Sequence, residues 1–278
     1  MSLPPNMSLP QKPFSQEPFP PKPPMTLVIP TLYGQMLVNR YDLNQTTALI
    51  KTGRAHDAEQ VEMLATLLRF CPPDPVVVDA GANIGTFSLR LAAAAGPRGR
   101  VLAFEPQRVL AYMLAGSAVL NGFTNLVCEV MALGERDGTI EVPQFDYNAP
   151  LNFGSIEFGG VQREPLHQKP ASDPGRREFV PLVRLDRFEL PRLDLLKIDV
   201  EGMEERVLEG AQATIARHRP ILFVETQKSD AEALLRRLVG WGYEVFRIRD
   251  NFLALPPAIQ QAAQISGLRV SPPAPAAS

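Results

Sequence analysis

Two groups of residues in this chain could do chemistry. The first is Asp79-Ala80-Gly81-Ala82-Asn83-Ile84-Gly85, with Glu105-Pro106 farther along. The run follows Val76-Val77-Val78 directly and opens a helical pattern, so it is a strand-to-helix turn at the carboxyl end of a strand, where open parallel sheets bind ligands. Gly81 lets the backbone turn tightly, and Gly85 allows either close helix packing or the approach of a ligand. Glu105 ends the next apolar stretch, Val101 to Phe104. A carboxylate there can accept hydrogens from two ribose hydroxyls while the amides of the glycine turn face the rest of the ligand. The pair indicates a nucleoside-containing cofactor.

The second group is Lys197-Ile198-Asp199-Val200-Glu201, with Glu225 ending the following apolar stretch. Alternation along a strand gives Lys197, Asp199 and Glu201 one orientation and Ile198 and Val200 the other. Buried charges are costly unless paired. These residues therefore read either as an ion pair of Lys197 with Asp199 or Glu201 that orients the strand end, or as groups converging with Glu225 on the cofactor rim. The carboxylates could take a proton from an alcohol as general base, or two of them could hold Mg²⁺ and lower the pKa of the hydroxyl.

The spacing of the glycine turn bears on which cofactor it serves. A dinucleotide site needs Gly-x-Gly-x-x-Gly so that a pyrophosphate can sit on the helix N-terminus, but this chain has Gly-x-x-x-Gly with Asn83 in between. Asp79 at the head of the turn would repel a phosphate and suits a cationic ligand. S-adenosylmethionine, a sulfonium with an ammonium group, is favoured over NAD.

The elements that must position these groups follow from the pattern of apolar runs. Short runs alternate with longer helical periods, the mark of a mainly parallel sheet covered by helices. Strands are expected at Val76–Val78, Arg100–Phe104, Leu126–Met131, Leu193–Val200 and Pro220–Glu225, and helices at Ile84–Ala95, Pro106–Asn121 and Glu204–Arg217. Tyr243–Ile248 and Phe252–Leu255 close the domain as an antiparallel pair, and Leu234, Leu235 and Leu238, with Trp241, form the core face of a helix. Pro143–Arg177 has no sustained period and reads as a long excursion over the face of the sheet.

Residues 1–30 are crowded with proline and repeat Met-Ser-Leu-Pro, which favours extended, unpacked conformers. This stretch is expected to be a disordered arm that could dock a protein partner through a groove that reads such segments. Residues 259–278 form a second tail, and the domain proper spans 31–258. Lys+Arg number 28 against 30 Asp+Glu, a net charge of -2, which disfavours a nucleic-acid binder working by counterion release. The 2 cysteines, Cys71 and Cys128, lack metal-ligand spacing. His56, His167 and His218 read as surface residues. No apolar run is long enough to span a membrane and no secretory signal opens the chain, so the expected compartment is the cytoplasm.

Val77 to Thr86, Ala103-Phe104-Glu105-Pro106, Ala132-Leu133-Gly134, Leu195 to Glu204, Val207 to Ala211 and Pro220 to Glu225 together resemble the FkbM-type family of S-adenosylmethionine-dependent methyltransferases. The likeness runs from about Gly34 to about Leu255, and Lys-Ile-Asp-Val-Glu-Gly is its most specific block. The resemblance implies a class I methyltransferase fold, an α/β Rossmann-like, mostly parallel seven-stranded sheet with helices on both faces. It also implies O-methylation of a hydroxyl on a sugar or glycosylated metabolite. Carried over by residue, it puts Asp79, Gly81, Ala82, Asn83 and Gly85 at the methionine part of the cofactor. Glu105 and Pro106 fall at the ribose, and Met131 and Ala132 at the adenine. Asn152-Phe153-Gly154 falls at the acceptor side, while the proline-rich arm and Val161–Arg177 have no counterpart. Two rivals remain at this stage: a nicotinamide oxidoreductase, and a silent scaffold that keeps the fold and recruits partners through its arm.

Overall fold

A computed structural model describes residues 23–158, 162–163, 165–171, 177–263 and 270. Its centre is a seven-stranded sheet made of β3 (Val76–Ala80), β4 (Arg100–Phe104), β5 (Leu126–Glu129), β9 (Leu195–Ile198), β10 (Ile221–Glu225), β11 (Glu244–Ile248) and β12 (Asn251–Leu255), in the order β11-β12-β10-β9-β3-β4-β5. β5, β4, β3, β9 and β10 run parallel, and β12 is antiparallel to both neighbours. Consecutive strands β3, β4 and β5 spread to one side and β9 and β10 to the other. The order reverses between β3 and β9, which opens a crevice at their carboxyl ends.

The strand interiors are mostly apolar because both faces are covered, with Asp79 in β3 and Lys197 in β9 as buried charged exceptions. Val77, Val101, Ala103, Leu195 and Phe223 point into one core layer, against α2 (Ala58–Leu67), α3 (Thr86–Ala95) and α4 (Arg108–Leu120). Val78, Leu102, Phe104, Leu196, Ile198 and Val224 alternate into the other, against α5 (Glu204–Gly210), α6 (Gln212–His218) and α7 (Ala231–Gly240). Leu234, Leu235 and Leu238 are buried on the core face of α7, as their spacing predicts. The expected α/β architecture, with a mostly parallel sheet and helices on both faces, is the one observed.

Several expected elements differ. The domain begins before the expected boundary at residue 31: β1 (Thr26–Thr31) pairs antiparallel with β2 (Gly34–Asn39), and Met25, Leu27 and Ile29 pack against the core. Alternation in Leu27-Val28-Ile29 outweighs the prolines around it. Residues 1–22 of the expected arm lie outside the described residues. The expected tail 259–278 begins within α8 (Pro257–Ala263), and the Val270 amide donates to the carbonyl of Val245 at 2.8 Å. The expected helix Glu204–Arg217 is broken at Ala211, because Asp186 from a distant segment accepts from the amides of Ala213 (3.0 Å) and Thr214 (2.8 Å) and starts a new helix there. The excursion from Pro143 is anchored by a small second sheet, β6 (Ala132–Leu133), β8 (Glu178–Val183) and β7 (Gly138–Val142), in the order β6-β8-β7. α1 (Gln45–Thr52) joins the hairpin to α2. Among the described residues, no helix is long and apolar enough to cross a membrane.

Candidate functional site

The crevice holds a cavity of about 370 Å³, within the range of small-molecule sites. One end is built by the turns after β3 and β4. Gly81 has φ +78, and a Cβ there would lie 1.7 Å from the carbonyl oxygen of Asp199, so only glycine lets this turn pass the end of β9. Gly85 settles the alternative left open by the sequence. A Cβ would meet Leu114 at 2.1 Å, so the residue serves close packing of α3 on α4 and does not border the cavity.

Glu105 is 5% exposed and receives the amides of Asn83 at 2.9 Å and Gln107 at 2.7 Å. Burial pushes its carboxyl up to about 7, against the pull of the two amides and of Lys197. Gly81, Ala82, Asn83, Pro106, Met131 and Ala132 border this end with it, where the resemblance puts the cofactor.

Asp79 is corrected. Its side chain is fully buried, accepts from the Ser88 hydroxyl at 2.6 Å and pairs with Lys197 Nζ at 3.1 Å, and it does not border the cavity. The charge that opens the turn is therefore neutralised inside the protein and does not face a cationic ligand. Lys197, 3% exposed, also lies 3.4 Å from Asp199, donates to the carbonyl of Gly81 at 2.9 Å and stands 5.1 Å over the ring of Phe87. Burial alone would lower its pKa, but Asp79 and Asp199 outweigh burial and raise it. The lysine is a fixed cation tying the glycine turn to the end of β9.

The strand alternation expected through Glu201 ends early, since β9 stops at Ile198. Asp199 and Glu201 reach the rim through a turn in which Glu201 has φ +56. Buried Glu204 holds that turn by accepting from the amides of Val200 (3.1 Å) and Gly202 (3.2 Å) and from the Ser229 hydroxyl. Glu201 pairs with Lys228, not with Lys197. Asp199, Glu201 and Glu225 nevertheless converge, each offering an oxygen within 4.8 Å of the others. Burial first, then the charge of Asp199, raises the pKa of both Glu201 and Glu225. Lys228 lies against Glu201 and Lys197 is shared between Asp79 and Asp199, so two ammonium groups stand among the four carboxylates Asp79, Asp199, Glu201 and Glu225. Oε2 of Glu225 is buried without a hydrogen-bond partner.

Of the two residues expected on the acceptor side, Asn152 reaches the cavity and Phe153 does not. Asn152 borders the cavity with Gly154 and Ser155, whereas Phe153 is buried, stacks on Tyr147 at 4.7 Å, and lends only its carbonyl to Gln107 Nε2 at 2.8 Å. The sequence reading missed the wall formed by His56, Asp57 and Gln60 at the start of α2, which faces the cavity together with Lys228, Arg249 and Asp250. His56 is exposed at the mouth of the cavity and not on an unrelated surface. Gln60 carried a usable signal: it shares a helix face with Leu64 and Leu67, and a polar residue on an apolar stripe calls for a partner.

Residues 79–245 match the family model described as the methyltransferase FkbM domain. The methyltransferase sdnD of Sordaria araneosa is 35% identical over 165 residues, 50% of this chain and 61% of that protein. The AMB antimetabolite synthetase AmbE of Pseudomonas aeruginosa is 33% identical over 217 residues, 66% of this chain and 10% of that protein. The chain thus spans about three fifths of the first relative and a tenth of the second. The crystal structure of methyltransferase FkbM from Methylobacillus flagellatus is 19% identical with a TM-score of 0.45, covering 66% of this chain and 44% of that one.

Proposed function

Since the chain belongs to the FkbM methyltransferase family, we propose that it transfers the methyl group of S-adenosylmethionine to a hydroxyl of a sugar or glycosylated metabolite. The observation that carries the reading is a single cavity with two unlike ends: Glu105 and the glycine turn at one, and the carboxylates Asp199, Glu201 and Glu225 at the other. Glu105 would accept the two ribose hydroxyls, with Asn83 and Pro106 beside it and Met131 and Ala132 against the base. The residues fit such a cofactor, because Glu105 is already held by two amides and still borders the cavity.

When bound, S-adenosylmethionine supplies an electrophilic methyl on a sulfonium that leaves as a neutral thioether. The chain has to hold the acceptor oxygen in line and remove its proton. Glu225 is the group proposed for the proton, since it borders the cavity beside Asp199 and Glu201 and burial raises its basicity. Asp199 and Glu201, steadied by Lys197 and Lys228, would orient the hydroxyl. The same carboxylates could instead share Mg²⁺, since their oxygens lie within 4.8 Å of one another and Lys197 is shared with Asp79. An assay with and without chelator separates the two.

The test is titration calorimetry on the full chain. S-adenosylhomocysteine should bind, and Glu105→Ala should weaken it about 100-fold, the worth of lost hydrogen bonds to a charged group. Absence of heat with the wild type, or protection from thermal unfolding by NAD instead, refutes the reading.

A further inference from the structure

Gln107 stands at the N-cap of α4, where Ser, Thr, Asp or Asn would cap the helix with a side-chain oxygen. Its side chain makes no cap bond, although the residue is only 3% exposed. It turns instead to the excursion: Nε2 donates to the carbonyl of Phe153 at 2.8 Å, and Oε1 accepts from the Tyr147 hydroxyl at 3.2 Å. Its backbone amide donates to Glu105 at 2.7 Å. One residue thus holds the carboxylate assigned to the ribose with its backbone, and the neighbour of Asn152 with its side chain. Resting on the methyl-transfer reading, with Asn152 on the acceptor side, we propose that Gln107 is a positioning residue that couples the two ends of the cavity, so that cofactor binding at Glu105 steadies the acceptor wall at 152–155.

The wall rests on both cofactor turns. Gly154 lies against the turn after β3, where a Cβ would come 2.8 Å from Nδ2 of Asn83, and Phe153 is held to the turn after β4 by Gln107. Tyr147 stacks on Phe153 at 4.7 Å, so its ring and its hydroxyl serve the same clamp. On the other side the chain is anchored away from the cofactor. The Leu151 amide donates to the carbonyl of Tyr41 at 3.1 Å, its carbonyl accepts from Leu43 at 3.0 Å, and Asn39 Nδ2 donates to the carbonyl of Tyr147 at 3.0 Å. Asn152, Gly154 and Ser155, which border the cavity, are therefore a short span between a fixed anchor and Gln107. Ribose hydroxyls on Glu105 would fix that carboxylate, and with it the amide and side chain of Gln107. Methyl transfer requires the acceptor oxygen in line with the methyl, and an error of about 1 Å is costly. A wall fastened to the residue that holds the ribose carboxylate registers the two substrates against each other. Such a coupling is reciprocal, so an acceptor seated on the wall tightens the cofactor by the same factor.

The experiment is amide hydrogen exchange on the full chain, free and saturated with S-adenosylhomocysteine, read as the ratio of exchange rates over 151–155. In the wild type the ligand should slow these amides by at least about fivefold, the low end of coupling between sites. Gln107→Met keeps the backbone amide and loses the clamp, and its ratio should fall to about twofold or less. Saturation keeps any change in affinity out of the ratio. Tyr147→Phe keeps the ring stack and loses the hydroxyl; its ratio should lie between the two, and it carries the test if the methionine variant does not fold. A clamp that is merely structural would speed exchange equally with and without ligand and leave the ratio at its wild-type value. That outcome, or wild-type amides indifferent to the ligand, overturns the coupling. Failure of the wild type to bind S-adenosylhomocysteine in calorimetry overturns instead the reading on which it rests.

Discussion

At the β3–β4 end of the cavity the buried charges are paired with one another, Asp79 Oδ1 through its ion pair with Lys197 and not through a hydrogen bond. Asp79 has Lys197 and Ser88, Lys197 has Asp199 and the carbonyl of Gly81, and Glu105 has two amides. At the end toward β10 and α2, Glu225 Oε2 and Gln60 Oε1 have no hydrogen-bond partner. The first end comes from two strand-to-helix turns inside the family domain. The second is assembled from α1–α2, the excursion after β7, and the β11–β12 turn. The difference teaches that the first end is set by pairing among buried charges, whereas the second keeps acceptor atoms for which the described residues supply no hydrogen-bond partner.

The contrast breaks most sharply at Glu225. Glu225→Gln keeps shape but cannot take a proton, so turnover should fall about 10²–10⁴-fold with S-adenosylhomocysteine affinity unchanged. Single-turnover kinetics beside calorimetry checks this, and equal loss of both would make Glu225 part of the cofactor end.

Lys197→Met attacks the paired end. It leaves Asp79 and Asp199 facing each other without their cation, which should destabilise the fold by about 3–5 kcal/mol and lower the melting temperature by roughly 10 °C. An unchanged thermal scan would mean that the buried charges of this end do not depend on one another.

The smallest expected effect concerns pH. Glu105 holds a proton below about 7 in the free protein, and ribose hydroxyls favour its ionised form. Cofactor binding should therefore release a proton, and S-adenosylhomocysteine affinity should fall as pH drops below about 7, by up to about tenfold per pH unit. Glu105→Gln should flatten the profile. A wild-type profile that is already flat would locate ribose recognition elsewhere.

The paired end was largely legible. A glycine turn after an apolar run and a carboxylate ending the next run lie close in sequence, and their positions follow from local geometry. Glu105, Asn83 and the Asp199–Glu225 convergence are found where the pattern puts them. Asp79 was misjudged because its partner, Lys197, lies across the sheet, and side-chain pairing between neighbouring strands leaves no spacing signal. Of the two partners that alternation offered Lys197, Asp199 is the one observed, and Glu201 turns to Lys228 because the chain has left the strand by then. The wall of His56, Asp57 and Gln60 was missed because nothing in the sequence says that a helix before the first strand and a turn after β11 meet over the same crevice.

The sequence by itself determined the α/β alternation, the glycine turn and the acids at the strand ends, because these rest on periods and turn chemistry that act over a few residues. Only the tertiary structure decided which acids stand against a lysine and which do not. That depends on burial and on partners more than a hundred residues apart, such as Lys197 and Gly81 at a separation of 116, and such distances are closed by packing, not by pattern.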